Sequence, residues 1–326
     1  MVYVFYNLLG GFGLWLMQSL VFLAIFVLFY AFLRLLHQRL DLNAVIIIAA
    51  IGIACFSACR FYKPELFSAL LFCWTVFVFF YIKITRKKFF FYLYPLIFIL
   101  WVNLHGGVLV GLTFLIITFF GELLNKIIFP KKSFKTEELV HYGIACFLSL
   151  TAMLINPYGV NYPLGLFSTV MNALGFENYS DSIYTPNLAH ASLWQSLNIS
   201  IYSFHASFTA WIMTLMIFAI LILTAYKFFK KKTCDIALLA ISCALYWKGM
   251  NTIRASYFFP LFFFFGFFYL LIHRLALKRF LDKTAIFSLM ILPFFFIIIF
   301  YFNIRYAVDG KWFGQGLDNF VPVKEV

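Results

Sequence analysis

The residues best suited to bind a charged ligand lie in short polar segments between long apolar runs of the sequence. Lys248, Asn251 and Arg254 follow one another at intervals of three, which places their side chains along one face of a helix. Arg60 and Lys63 form a second cationic pair. Ammonium and guanidinium groups bind phosphate through charge-assisted hydrogen bonds, so these five residues predict a phosphate-binding pocket. The alternative interpretation is that the basic side chains extend to the phosphates of membrane lipids.

A second polar segment, Trp101-Val-Asn-Leu-His-Gly-Gly107, joins two apolar runs. Gly106 and Gly107 permit a tight reversal and a positive φ. Asn103 and His105 are expected where an apolar helix meets water, and polar groups at membrane depth are costly and often functional. Two hypotheses stay open: these side chains cap helix ends in a hairpin, or they bind a substrate.

A third segment, Asn156-Pro157-Tyr158-Gly159, follows a further apolar run. Asn-Pro and a following glycine are typical of a turn that stops a helix. We therefore predict a structural role for these four residues.

No residue stands out as a catalytic base. General acid–base catalysis needs a carboxylate or a histidine, and Asp181 is a weak candidate because acids in long loops are more often solvated surface. The six cysteines have no metal-binding spacing, so we interpret them as small buried apolar residues. No apolar run carries the internal acid–base chain typical of proton-coupled transporters.

The elements that position these residues are long apolar helices. Of 326 residues, 64% are hydrophobic and 11% are charged, whereas a soluble domain has about 25% charged residues. Runs of about twenty apolar residues span the hydrocarbon core of a bilayer as helices. We predict an all-α, polytopic transmembrane bundle over residues 1–303, a long outer loop at about 156–206, and an extracytoplasmic tail at 304–326. The ten predicted spans are 12–33, 43–59, 65–82, 89–104, 107–128, 139–155, 207–229, 234–250, 255–273 and 284–303.

The distribution of basic residues predicts the orientation. With ten spans, 18 of the 25 Lys and Arg residues fall in one set of loops, and this excess marks the cytoplasmic side. Both termini are therefore predicted to be extracytoplasmic. The net charge of +13 is then explained by helix ends that contact anionic membrane lipids, and nucleic acid is not an expected partner.

The order of several short motifs resembles one family. The series KPELFSALLF, FILWVNLHGGVLVGL, INPYG, NTIRASYFFPLFF and GQGLDNFVPVKEV is similar to the polytopic membrane glycosyltransferase-like proteins of the GT-C type, which include Rgt-like and dolichyl-phosphate-mannose-transferase-like members. The most specific part is WxNLHGG followed about fifty residues later by NPYG.

The resemblance implies transfer of a sugar from a polyprenyl-phosphate donor to a cell-envelope acceptor, on the outer face of a bacterial inner (plasma) membrane. Members of the family place an essential acid, often with a divalent cation (Mg²⁺ or Mn²⁺), in the first large outer loop. Here the residues before Phe12 contain no Asp or Glu, and Ser-Ile-Tyr-Thr-Pro186 stands where relatives have an acid before the proline. We therefore expect a chain that lacks the N-terminal span and first outer loop, as a fragment, a truncated product or an inactive remnant.

Two functions from other classes remain as alternatives. A transporter or flippase for a lipid-linked intermediate needs polar residues inside several spans and inverted repeats, and few such residues are visible. A membrane assembly subunit would instead bind partners through the long outer loop.

Overall fold

A computed structural model describes residues 2–36, 65–130, 133–165, 204–252 and 255–274. These parts of the chain are helical and contain no strand, which confirms the predicted all-α class for them. They include a 3-10 helix at Lys88–Tyr92 and a π-helical segment at Tyr269–Arg274. The helices are α1 (Val2–Leu36), α2 (Glu65–Thr85), α3 (Leu93–Val102), α4 (Val108–Ile128), α5 (Thr136–Ala152), α6 (Phe204–Lys231), α7 (Ile236–Asn251) and α8 (Phe258–Phe268).

Among the described residues, four helical segments are long and apolar enough to cross a membrane: Leu16–Leu36, Glu65–Thr85, Val108–Ile128 and Ala210–Lys231. Each has a mean hydropathy of at least 2.0 and 21 or 22 residues, so each spans about 30 Å. The apolar helices at Lys88–Val102, Ile236–Asn251 and Phe258–Leu271 are shorter. The total of ten spans and the placement of both termini stay predictions.

Some predicted elements lie outside the described residues. These are the spans at 43–59 and 284–303, the tail at 304–326, and residues 166–203 of the long outer loop. Within the described part, α1 begins ten residues earlier than the predicted span at 12–33. Its path is broken at Gly10, where a φ of 60° and a ψ of −143° interrupt the helix.

The core is built from aromatic side chains that helices α2 and α8 share. The rings of Phe72 and Phe258 lie 5.0 Å apart, and those of Phe80 and Tyr269 lie 5.0 Å apart. Residue numbers rise together along both helices, so α2 and α8 run parallel. Phe114 of α4 contacts Phe72 edge to face at 5.9 Å, a favoured geometry for aromatic pairs.

Helices α4 and α7 pack in opposite directions and very closely. A Cβ atom added to Gly121 would lie 2.4 Å from the Cα atom of Ala237, so the two backbones touch at this point. One turn later along α4, the Asn125 Oδ1 atom accepts a hydrogen bond from the Ile236 N–H at 2.8 Å. Residue numbers rise along α4 while they fall along α7, which establishes the antiparallel arrangement.

The contacts divide the bundle into two ends. At one end, which we call the basic end, Lys83 of α2 contacts Glu122 of α4 and Asp235 before α7. The start of α5 joins this end because Arg86 forms an ion pair with Glu138 at 3.1 Å. At the other end, which we call the turn end, lie the turns at 103–107 and 153–159.

Candidate functional site

At the turn end, Asn103 joins two of the polar segments that the sequence singled out. Its Nδ2 atom donates to the Ile99 carbonyl at 2.8 Å and to the Ile155 carbonyl at 2.7 Å. The first bond caps the end of α3, and the second reaches the chain just beyond α5. One side chain therefore ties the turn at 103–107 to the segment that begins at Asn156.

His105 belongs to a hydrogen-bond network that includes the start of α2. The Trp101 Nε1–H donates to the Ser68 Oγ atom at 2.8 Å, and Ser68 Oγ lies 2.8 Å from His105 Nδ1. The Gly107 backbone N–H also donates to His105 Nδ1, at 3.1 Å. Trp101 and Ser68 are both fully buried, whereas His105 is half-buried. The imidazole therefore lies at the boundary between the core and the outer surface of the turn end.

The glycines of this turn do not use the positive φ that the sequence suggested. Gly107 has a φ of −58°, and Gly106 is also not among the residues with positive φ. What Gly107 supplies is space, since an added Cβ atom would lie 2.5 Å from Ser68 Oγ and 2.9 Å from His105 Nδ1. A methyl group at this position would displace the serine and the imidazole.

The segment Asn156-Pro157-Tyr158-Gly159 forms a closed turn. The Asn156 Nδ2 atom donates to the carbonyls of Met153 at 2.7 Å and Gly159 at 2.9 Å, and its Oδ1 atom accepts from the Tyr158 N–H at 2.8 Å. Gly159 has a φ of 56°, a conformation that favours glycine. The turn itself uses both polar atoms of the Asn156 side chain.

Lys248 and Asn251 lie near the C-terminal end of α7. Lys248 is exposed, and Asn251 Nδ2 donates within its own helix to the Trp247 carbonyl at 2.9 Å. Helices α4 and α7 touch where Gly121 meets Ala237. Asn251 lies 14 residues after Ala237, and Gly107 lies 14 residues before Gly121. At the rise of an α-helix, Asn251 and Gly107 are therefore each about 21 Å from this contact. The antiparallel packing therefore places Lys248 and Asn251 at the turn end.

The other predicted site residues lie outside the described part of the chain. They are the cations Arg60, Lys63 and Arg254 and the acid Asp181. Their roles stay predictions.

At the basic end, the structure shows a buried ionic cluster that the sequence did not predict. Lys83 forms an ion pair with Glu122, and its Nζ atom lies 2.8 Å from each carboxylate oxygen of Asp235. The three side chains are at most 3% exposed. Glu122 belongs to α4, so the predicted span at 107–128 carries one buried acid near its C-terminal end. The prediction that no span carries an internal acid–base chain of the kind typical of proton-coupled transporters stays a prediction.

Neighbouring polar groups complete the cluster. Asn125 donates from Nδ2 to Asp235 Oδ1 at 3.2 Å, and the same Asp235 oxygen accepts from the Leu238 N–H at 3.3 Å, as an N-terminal cap of α7 does. Lys227, 3% exposed, lines the same cleft, whose free space is about that of one water molecule. Two buried cations and two buried carboxylates thus line the same cleft.

The signal for this cluster was present in the sequence but weak. Glu122 and Asn125 are polar residues three apart in an otherwise apolar run, so they share a helix face. Lys83 is 39 positions before Glu122, and Asp235 is 152 positions after Lys83. Only the packing of α2, α4 and α7 brings them together.

The described residues contain no group of three or more His, Cys, Asp and Glu side chains that is suited to a metal ion. The divalent cation that the resemblance implies therefore has no such ligand set in this part of the chain.

No protein-family model, curated protein or solved structure matches this chain. The resemblance to the GT-C type rests on the motifs themselves.

Proposed function

We propose that this chain is an integral membrane protein that binds a polyprenyl-phosphate-linked sugar at the turn end and transfers the sugar to a cell-envelope acceptor. The observation that carries the proposal is the antiparallel packing of α4 on α7. It brings the Asn103–His105 turn and the Lys248–Asn251 helix end to the same end of an apolar bundle. A polyprenyl phosphate needs this combination, because its tail is apolar and its headgroup is anionic.

The residues have distinct roles in this proposal. Lys248 supplies a positive charge for the lipid phosphate, and the sequence predicts that Arg254, Arg60 and Lys63 add to it. His105 hydrogen-bonds to the sugar or the phosphate. Asn103, whose amide already holds two carbonyls, shapes the turn. Asp181 is the weak candidate for the base, and an Mg²⁺ or Mn²⁺ ion enters by resemblance alone.

The first experiment measures binding. The whole chain in lipid nanodiscs is titrated with a polyprenyl phosphate, and the bound fraction is read by native mass spectrometry. Because a charged hydrogen bond contributes about 1.5–3 kcal/mol, Lys248→Gln and Arg254→Gln should each weaken binding about tenfold or more. Lys87→Gln, which removes an exposed cation at the basic end, is the matched control and should leave binding unchanged. Equal affinities for all variants would contradict the proposed phosphate site.

The second experiment tests for transfer. Proteoliposomes that contain the chain receive a radiolabelled polyprenyl-phosphate sugar and envelope extract, and loss of label from the lipid is followed. Binding without transfer would leave the chain as a binding protein.

A transporter of the lipid-linked intermediate is the second candidate, and the buried cluster at the basic end favours it. Ionisable residues inside a membrane helix often mark a substrate or proton pathway. This candidate predicts movement of a labelled lipid-linked sugar across proteoliposomes without transfer, and that Glu122→Gln reduces the rate. Absence of movement with the unmodified chain would exclude it.

A further inference from the structure

The Nδ1 atom of His105 has two hydrogen-bond neighbours. The Gly107 N–H donates to it from the backbone at 3.1 Å. The second neighbour is the Ser68 hydroxyl at 2.8 Å, whose oxygen already accepts from the Trp101 indole at 2.8 Å. A hydroxyl can both donate and accept, so the direction of the Ser68–His105 bond follows from whether Nδ1 carries a proton.

We propose that Ser68 is a positioning residue that holds His105 in the tautomer with the proton on Nε2. The backbone donor at Gly107 cannot become an acceptor, so a proton on Nδ1 would face another N–H at 3.1 Å. With Nδ1 as the acceptor of two hydrogen bonds, the ring proton is on Nε2.

The position of these residues explains why the arrangement is rigid. Ser68 and Trp101 are fully buried, so water does not compete for their hydrogen bonds. Gly111 of α4 packs against the Trp101 ring, since an added Cβ atom would lie 2.4 Å from it. The indole is therefore held in one orientation, and the hydrogen bonds from the indole to Ser68 and from Ser68 to His105 also restrict the serine and the imidazole.

The tautomer defines the chemistry of His105. A neutral imidazole that carries its proton on Nε2 donates one hydrogen bond to an acceptor oxygen, such as that of a phosphate or a sugar hydroxyl. It does not remove a proton through Nδ1, so His105 binds and orients the ligand and is not the general base. This role rests on the proposed function, whereas the tautomer itself does not.

The first measurement is the tautomer. Nitrogen-15 NMR of histidine-labelled protein in nanodiscs, with the His105 signal assigned from its loss in His105→Gln, should show an unprotonated Nδ1 and a protonated Nε2. Ser68→Ala should move both shifts towards a mixture of tautomers. Ser149→Ala is the control, because Ser149 is also fully buried but hydrogen-bonds only within its own helix, to the Ala145 carbonyl.

The second measurement is affinity for a polyprenyl phosphate. Ser68→Ala should weaken binding about fivefold, the effect of one hydrogen bond, while Ser149→Ala should not. His105→Gln, whose amide can donate from the position of Nε2, should bind more tightly than His105→Asn. Ser68→Cys keeps the size of the side chain and serves if the alanine variant does not fold.

Two results would overturn the proposal. One is a protonated Nδ1 in the unmodified protein. The other is that Ser68→Ala and Ser68→Cys keep the tautomer of the unmodified protein, as the control Ser149→Ala does. If the tautomer is as expected but neither the unmodified protein nor any variant binds the lipid phosphate, the proposed function fails. The role of Ser68 in holding the His105 tautomer then still stands.

Discussion

At the scale of single residues, Lys83 is a buried cation that is held between carboxylates. Its ammonium contacts carboxylates from two helices and also lies 5.2 Å from the centre of the Phe79 ring. Burying separate charges costs several kcal/mol each, and the mutual attraction offsets that cost only while all partners are present. The cluster therefore depends on each member.

We predict that Lys83→Met destabilises the protein by about 3–5 kcal/mol, because it leaves two buried carboxylates with Lys227 as the remaining cation in the cleft. The measurement is the thermal midpoint and the free energy of unfolding in detergent. Lys87→Met removes an exposed cation at the same end and should have little effect.

A compensated variant separates lost charge balance from lost packing. Lys83→Met combined with Glu122→Leu leaves one buried carboxylate, Asp235, with one buried cation, Lys227, in the cleft, and Asp235 still caps α7. It should recover much of the lost stability. If Lys83→Met and Lys87→Met have the same midpoint, the cluster does not stabilise the bundle.

At the scale of helices, the close approach of α4 and α7 sets the relation between the two ends. Gly121 allows the backbones to touch at Ala237, and small residues at such crossings are typical of helix packing in membranes. Nearby, Asn125 fixes the register through the Ile236 N–H. The same crossing positions the ionic cluster at one end and Lys248 at the other.

We predict that Gly121→Leu separates α4 from α7 and lowers stability by several kcal/mol, because its side chain meets backbone atoms of Ala237 that cannot move aside. The thermal midpoint should fall, and binding of polyprenyl phosphate should weaken although the substitution is far from Lys248. Gly11→Ala is the control, since an added Cβ atom there meets nothing within 4 Å. Equal midpoints for the two variants would show that the helices tolerate separation.

At the scale of the whole molecule, the two ends differ in charge. The C-terminal parts of α2, α4 and α6 carry basic residues at the basic end, while the turns at the opposite end are polar and nearly uncharged. Basic loops are retained on the cytoplasmic side of bacterial membranes. We therefore expect the turn end, with the proposed phosphate site, to be extracytoplasmic.

We predict that a membrane-impermeant maleimide labels Tyr158→Cys in intact bacterial cells and labels Lys87→Cys only after the membrane is permeabilised. Both substitutions are made in a cysteine-free background, and both positions are exposed on the folded chain. The reverse pattern would place the turn end in the cytoplasm and exclude transfer on the outer face.

Local features of the fold could be predicted from the amino-acid sequence. Apolar runs longer than a bilayer is thick must form helices, because a backbone in lipid has to satisfy its own hydrogen bonds. The predicted spans at 65–82 and 207–229 accordingly lie within helices α2 and α6, and the predicted span at 107–128 begins one residue before α4 and ends with it. Asn156 and Gly159 form a turn through bonds within a few residues, which is information that a short segment contains.

Contacts between distant positions were decided by the tertiary structure. Ser68 meets His105 across 37 positions, and Lys83 meets Asp235 across 152 positions. A hydropathy pattern shows which residues are apolar, but not which helix faces meet or at what level. The sequence likewise indicated only that Gly107 permits a positive φ. The structure shows that the lack of a side chain at Gly107 is needed because Ser68 approaches from a distant part of the chain, beside the His105 ring of the same turn.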